Sequence, residues 1–228
     1  MTVELLRECV LEFNKYGDAD YFAYLHNIQQ LKDDRGEDLP HQLIEFLNKW
    51  RCRLPASLRK ALKEALRDIQ PLITPTRQFT IEEADLSAVV PVGEHQNLQL
   101  AQIAHICLDR LSAVGKRFSS VASAKALHML SPTFFVMWDS TICERYRSIL
   151  SASGCDGWFY AYEFLPRMQR EVANLIEDGT KEGGFSREQL LAEVRSGFGS
   201  FSTAKTVAKV LDEFNYIMFT IRKVYEVP

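Results

Sequence analysis

Apolar residues recur at steps of three and four along most of this chain. The clearest case is residues 207–224, where one face is apolar throughout, and the same spacing recurs in residues 58–69 and 100–114. A period of 3.6 residues places such side chains on one side of an α-helix, whereas strands need sustained alternation. The sequence therefore predicts an all-α, multi-helix globular fold.

Residues 71–96 interrupt this pattern, with three prolines and no sustained period. Proline lacks an N–H group, so we expect Pro71 to end the helix before it. The segment is predicted to be an irregular connection or, at most, a small β-hairpin around QFTI and SAVVPV. It separates an N-terminal helical region, residues 1–75, from a second helical region, residues 97–228. One compact domain is the alternative.

The amino-acid composition limits the classes of protein to which this chain can belong. Hydrophobic residues at 46% and charged residues at 25% are typical of soluble globular proteins. No run of 18 apolar residues occurs, and the first residues resemble an amphipathic helix rather than a secretory signal. Five cysteines without a CxxC pair argue against a disulfide framework. We expect no membrane partner, reduced thiols and a cytoplasmic location.

Charge is distributed unevenly. Residues 1–50 carry five Lys/Arg against ten Asp/Glu, residues 51–80 seven against two, and residues 101–150 six against three. A basic zone of this kind suits an anionic partner. Alternatively, the acidic and basic zones lie against each other or form solvated faces.

Several common site motifs are absent. The chain has no GxxxxGK[ST], GxGxxG, HExxH or GxSxG motif. Its histidines show no ligand spacing with carboxylates or thiols, so the sequence predicts neither a cofactor nor a metal. These histidines are His26, His41, His95, His105 and His128.

The candidate chemistry lies in residues 119–142. Lys125 and His128, at i and i+3, share one helix face, and Asp139 follows the apolar run FFVMW. Asp139 is either the N-cap of the next helix or a carboxylate that activates water or stabilises a developing cation. Three roles are open for Lys125: a surface charge, a phosphate contact or an amine nucleophile. His128 is either a core histidine or a catalytic residue.

This segment resembles the helix-hairpin-helix DNA glycosylase superfamily. It is most similar to poorly characterised bacterial relatives with an 8-oxoguanine-glycosylase-like fold, which carry A-S-K-x-L-H-x-L-x-P-x-x-F-x-x-W/Y-D-S. Residues 209–216, KVLDEFNY, also resemble these relatives, and the likeness covers about a third of the chain. The matching positions, with Ala124 as one extra residue before the lysine, are Ala122, Ser123, Lys125, Leu127, His128, Leu130, Pro132, Phe135, Trp138, Asp139 and Ser140.

The resemblance implies a DNA partner. By position, Asp139 would act on a flipped nucleotide, with Trp138 and Ser140 lining its pocket. The phosphate contacts would come from Lys116, Arg117 and Lys125.

The match departs from the superfamily in two places. The hairpin segment GKRFSSVAS offers one glycine, Gly115, and the position of the nucleophilic lysine falls near Ser120. The resemblance therefore does not carry over lyase chemistry.

Two hypotheses follow. In the first, the chain is a nucleic-acid-associated protein, a candidate divergent or inactive DNA glycosylase. In the second, it is a non-enzymatic helical module that binds a protein partner, and Asp139 is only a cap. A basic groove at Asp139 favours the first, whereas a packed-over Asp139 and a large apolar patch favour the second.

Overall fold

The fold is mostly helical. The computed structural model describes residues 1–16, 19–33, 36, 38–93, 96–181, 183–199 and 203–224. Of these, 66% are helical, and the described strands form one two-stranded antiparallel sheet. The predicted all-α class, with at most a small hairpin, is confirmed.

The elements follow one another with short connections. The helices are α1 (Val3–Phe13), α2 (Ala19–Leu31), α3 (Asp38–Lys49), α4 (Arg59–Thr76), α5 (Leu100–Ser112), α6 (Ser120–Leu130), α7 (Ser140–Ile149), α8 (Asp156–Phe159), α9 (Leu165–Lys181), α10 (Arg187–Arg195) and α11 (Val207–Asn215). A 3₁₀ turn, Ala56–Leu58, precedes α4. Two π-helical stretches, Tyr160–Phe164 and Tyr216–Ile221, follow α8 and α11 directly.

Helix α4 does not end at Pro71, contrary to the sequence prediction. It continues through Pro71 and Pro75 to Thr76. The apolar stripe also continues, because Ile73 and Thr76 are buried like the residues before them. The Thr74 hydroxyl also donates to the Gln70 carbonyl at 2.9 Å, within the turn between the two prolines. Burial of the stripe therefore outweighs the cost of proline in the last turns.

The hairpin contains only one of its two expected strands. Strand β1 (Val89–Val92) pairs antiparallel with β2 (Gln96–Gln99), and Val89 lies opposite Gln99. The QFTI segment instead forms turns, and the Ile81 N–H donates to the Thr133 carbonyl at 2.9 Å. Helix α5 thus begins at Leu100 rather than at residue 97.

Helix α6 lies at the centre of the packing. Residues 122–130 are all buried, and α6 contacts α2 and α3 on one side and α5 on another. Helix α1 packs against α11 and α4 against α5, so one apolar core contains residues from both ends of the chain. The division into residues 1–75 and 97–228 stays a prediction.

Candidate functional site

Asp139 caps helix α7. Its Oδ1 accepts the Ile142 N–H at 2.8 Å, and its Oδ2 accepts the Thr220 hydroxyl at 3.1 Å. One oxygen thus binds an otherwise unsatisfied helix N–H, and the other ties α7 to the C-terminal helix. The capping alternative is confirmed, while a catalytic role for Asp139 stays a prediction.

His128 is a fully buried core histidine. Its Nδ1 lies 2.6 Å from the Phe135 carbonyl oxygen, and its Nε2 lies 2.7 Å from the Tyr21 hydroxyl. A carbonyl can only accept, so Nδ1 carries a proton and donates to Phe135, while Nε2 shares a hydrogen bond with the Tyr21 hydroxyl. Both ring nitrogens therefore hold the structure together.

Lys125 is largely buried rather than displayed to solvent. Only 9% of the residue is exposed. Its Nζ donates to the Trp50 carbonyl at 3.4 Å and lies 5.5 Å from the centre of the Trp50 ring. Lys125 therefore joins α6 to the turn after α3. Little of its side chain is accessible to a phosphate group.

Trp138 and Ser140 flank Asp139 in opposite surroundings. Trp138 is fully buried, and its Nε1 donates to the Ser120 carbonyl at 3.2 Å. Its ring packs against those of Phe159, Tyr160 and Phe164. Ser140 is exposed as the first residue of α7. The pocket role of both residues stays a prediction.

Lys116 and Arg117 are exposed in the turn between α5 and α6. Phe118 anchors this turn, because its ring is buried and its N–H donates to the Gly115 carbonyl at 2.8 Å. A Cβ added to Gly115 would lie 2.9 Å from the Leu58 side chain, so glycine lets the turn pack closely against the start of α4.

A second basic turn lies between α3 and α4. Arg51 and Arg53 are exposed, and both adopt left-handed backbone conformations, with φ of 64° and 53°. Such conformations are unfavourable for residues with a Cβ. The Asn48 amide holds the turn, since it accepts from the Leu54 N–H at 2.5 Å and donates to the Leu54 carbonyl at 2.9 Å.

The two basic turns lie on neighbouring segments. Gly115 contacts Leu58, and Lys125 contacts Trp50, so both segments lie side by side. We define the basic face by its exposed cations: Arg51, Arg53, Lys60, Lys116 and Arg117. Residues 46–63 and 110–138, which supply them, contain no Asp or Glu. That absence is the sequence signal that would have identified Arg51 and Arg53.

A buried group of charges lies on α11 and the residues before it. Lys209 is fully buried, with Nζ 3.1 Å from Asp212 Oδ2 and 3.3 Å from Glu213 Oε1. Lys205 Nζ lies 2.5 Å from the same Glu213 oxygen. We call these four residues the lysine cluster. The spacings i, i+3 and i, i+4 of Lys209 with Asp212 and Glu213 are the sequence signal for it, whereas the segment was predicted only as an apolar helix face and as part of a resemblance.

Aromatic rings surround the Lys209 ammonium. Its Nζ lies 4.9 Å from the ring centre of Phe13, 5.0 Å from that of Tyr21 and 4.8 Å from that of Trp50. Ring faces attract a cation most strongly where water is excluded. The lysine cluster thus connects α11 to the N-terminal helices. Its charges interact with carboxylates and aromatic rings within the protein.

Three side chains of metal-ligand type also lie together. Nε2 of His105, a carboxylate oxygen of Asp109 and Sγ of Cys155 are all within 4.8 Å of one another. The i, i+4 spacing of His105 and Asp109 is a sequence signal for this group that our prediction of no ligand spacing overlooked, whereas no local pattern places Cys155 beside them. His95 lies outside the described residues.

A concave site lies between α3 and α4, away from these groups. Its floor is apolar, with Leu66, Ile69 and Ile73, and cationic side chains stand at its rim. The rim cations are Lys32, Lys63, Arg67 and Arg77. Asp139 does not line this site, so it does not provide a base pocket for that carboxylate.

Comparisons of the chain with protein-family models, curated proteins and solved structures find no match. Among the described residues, none of the helices has the length and apolar character needed to cross a bilayer.

Proposed function

We propose that this protein binds nucleic acid through the basic face. The observation that supports the proposal is the contact of Gly115 with Leu58, which brings two acid-free basic segments to one side of the molecule. Phosphate groups spaced along a strand attract such a set of cations, and neutralising them releases counterions. Contacts of this kind hold a strand without reading its sequence.

The turn between α5 and α6 adds a second element of phosphate recognition. Ser119 caps α6 and accepts the Ala122 N–H at 3.4 Å, so the N-terminal end of α6 lies directly after Lys116 and Arg117. Helix N-termini favour negative charge because of their free N–H groups and the helix dipole.

We propose binding without a catalytic step at Asp139. Both oxygens of its carboxylate already accept hydrogen bonds, from the Ile142 N–H and the Thr220 hydroxyl, and a nucleotide that displaced either donor would cost that bond. Release of either partner would weaken the start of α7 or its contact with the C-terminal helix. We therefore expect base release from lesion-containing DNA to be weak or undetectable.

Fluorescence anisotropy with labelled single-stranded and duplex DNA tests the proposal. We expect weak binding that declines as salt rises, with the double variant Lys116→Glu/Arg117→Glu at least tenfold weaker. Arg170→Glu/Lys181→Glu, which changes two exposed cations on α9 by the same total charge, is the control and should retain affinity. Equal losses in both double variants would show a net-charge effect and contradict the assignment of this face.

The second hypothesis, a protein-interaction module, is favoured by the capping role of Asp139 but lacks an apolar docking patch among the described residues. The exposed large apolar side chains of the described residues are separated on several elements rather than gathered in one patch: Leu11, Tyr16, Val89, Trp158 and Phe185. It stays a prediction, and an absence of DNA binding at low salt would favour it.

A further inference from the structure

We propose that His105, Asp109 and Cys155 bind a divalent metal ion of the zinc class, which joins α5 to the segment that begins α8. This site is independent of the basic face and of nucleic-acid binding. The proposal contradicts our expectation from sequence that the chain binds no metal.

The distances between the three ligand atoms suit a tetrahedral ion. His105 Nε2 lies 3.1 Å from Asp109 Oδ2 and 3.9 Å from Cys155 Sγ. Around a tetrahedral zinc ion, the corresponding separations are about 3.4 Å for nitrogen and oxygen and about 3.6 Å for nitrogen and sulfur. Shifts of a few tenths of an ångström would bring each of these two pairs to the required separation. The Asp109 oxygen and Cys155 Sγ lie within 4.8 Å of each other and would approach by up to about 1.2 Å to reach the separation of about 3.6 Å around the ion.

Glycine at position 157 allows this close approach. A Cβ there would lie 2.1 Å from Asp109 Oδ1 and 2.9 Å from His105 Cδ2. Any other residue would thus displace the Asp109 carboxylate and the His105 ring or push α8 away from α5. The His105 ring also meets the edge of the Tyr162 ring at 5.9 Å between centres, which limits how far the imidazole can turn. The backbone of α8 and the His105 ring are therefore already positioned for coordination.

The segment that carries Cys155 is held from its other side. Arg147 donates to Asp156 Oδ1 at 2.7 Å and to the Gly154 carbonyl at 3.2 Å, and its guanidinium lies 4.4 Å from the centre of the Phe159 ring. Arg147 thus fixes the residues on both sides of Cys155. The thiol is therefore held near α5 by bonds that do not depend on the metal.

Cys155 is the cysteine best suited to bind a metal. It is exposed, whereas Cys9, Cys107 and Cys143 are buried and Cys52 is half-buried. Burial raises the pKa of Cys9 to about 11 and also raises the pKa of Cys107, which disfavours the thiolate form that a metal requires. Water reaches Cys155, so its thiol proton can pass to solvent when the sulfur–metal bond forms.

The donor set indicates which ion fits. Thiolate and imidazole ligands favour zinc and similar borderline-soft ions, whereas magnesium and calcium prefer oxygen ligands alone. Three protein ligands leave the fourth tetrahedral position to water or to another donor. Each ligand is at least partly exposed, so an ion can enter from solvent.

Metal titration of the purified full-length chain tests this inference. After treatment with a chelator, the protein should take up one Zn²⁺ per chain in competition with a chromophoric chelator. Co²⁺ should give the sulfur-to-metal charge-transfer absorption that requires a bound thiolate, and Zn²⁺ should slow alkylation of Cys155. Cys155→Ser and Asp109→Asn should each weaken Zn²⁺ binding at least tenfold, and Cys155→Ser should abolish the Co²⁺ absorption.

The chain provides a matched control. His41 and Glu45 on α3 form another i, i+4 histidine–carboxylate pair, at 3.3 Å, in which no cysteine takes part. His41→Gln should leave Zn²⁺ affinity and stoichiometry unchanged. Circular dichroism of each variant confirms that the fold is retained. No Zn²⁺ uptake by the parent protein, or equal uptake by Cys155→Ser, would overturn the proposal.

Discussion

The lysine cluster and the basic face use the same kind of charge in opposite ways. Lys209 is fully buried between two carboxylates and three aromatic rings. Lys116 is exposed in a turn whose acid-free segment extends over residues 110–138. The first charge is neutralised within the fold, whereas the second remains available to a partner.

The difference is visible in the local sequence. Lys209 has acidic residues at i+3 and i+4, within reach on the same helix face, and the structure pairs it with both. Lys116 and Arg117 have none nearby. Such partners offset the cost of burying a charge, because desolvation costs several kcal/mol per ion. Exposed cations far from any acid in sequence are therefore better candidates for binding than cations counted over long windows, whereas Lys125, equally far from any acid, is withdrawn by its burial.

The largest expected effect is at Glu213. Glu213→Gln removes the carboxylate that Lys205 and Lys209 share, and leaves buried positive charge uncompensated. We expect a loss of about 3–5 kcal/mol in the free energy of unfolding, measured by urea denaturation. A loss below about 1 kcal/mol would show that water reaches the lysine cluster. Its charges would then be solvated like those of the basic face, which would contradict the comparison.

A smaller effect is expected beside the lysine cluster, at Tyr21. Tyr21→Phe keeps the ring that faces Lys209 but removes the hydroxyl 2.7 Å from His128 Nε2. The buried ring nitrogen then lacks that partner, which should cost about 1–3 kcal/mol. Tyr24→Phe, at a half-buried position on the same helix, is the control and should change stability by less than about 0.5 kcal/mol. Equal stability of both variants would exclude a structural role for the His128 contact.

Much of the fold could be predicted from helical periodicity. The face of residues 207–224 forms α11 and its π-helical continuation to Ile221, and the stripe beginning near Leu58 forms α4. The continuation of α4 past Pro71 could not be predicted, because local propensity opposes it and only the burial of Ile73 and Thr76 supports it. Local rules failed where tertiary packing decided the outcome.

The candidate site was harder to predict for a related reason. Asp139 as a cap depends on neighbours three residues away, so sequence could suggest it. The partner of His128 is Tyr21, 107 positions earlier, and the partner of Lys125 is Trp50, 75 positions earlier. Such contacts arise only when α6 packs between the N-terminal helices, and no local pattern encodes them. The exposed turn with Lys116 and Arg117 needed no distant contact to be recognised.

A pair of substitutions at Asp139 separates its charge from its capping role. Asn caps a helix nearly as well as Asp, so Asp139→Asn should change stability little, whereas Asp139→Ala should cost about 1 kcal/mol. Chemical denaturation of both variants measures this difference. If Asp139→Asn abolished base release from lesion-containing DNA, the carboxylate would have a function beyond the cap.

The smallest expected change in stability is at Lys116, an exposed lysine of the basic face. Lys116→Met removes one exposed cation, so the free energy of unfolding should change by less than about 0.5 kcal/mol. DNA affinity should nevertheless fall, and the slope of log K against log salt should decrease by about 1, since one phosphate contact is lost. Lys209→Met should show the reverse pattern, with lower stability and an unchanged salt slope measured well below its unfolding transition. An equally large change in salt slope for Lys209→Met and Lys116→Met would contradict the comparison. It would mean that Lys209, like Lys116, contributes its charge to DNA binding.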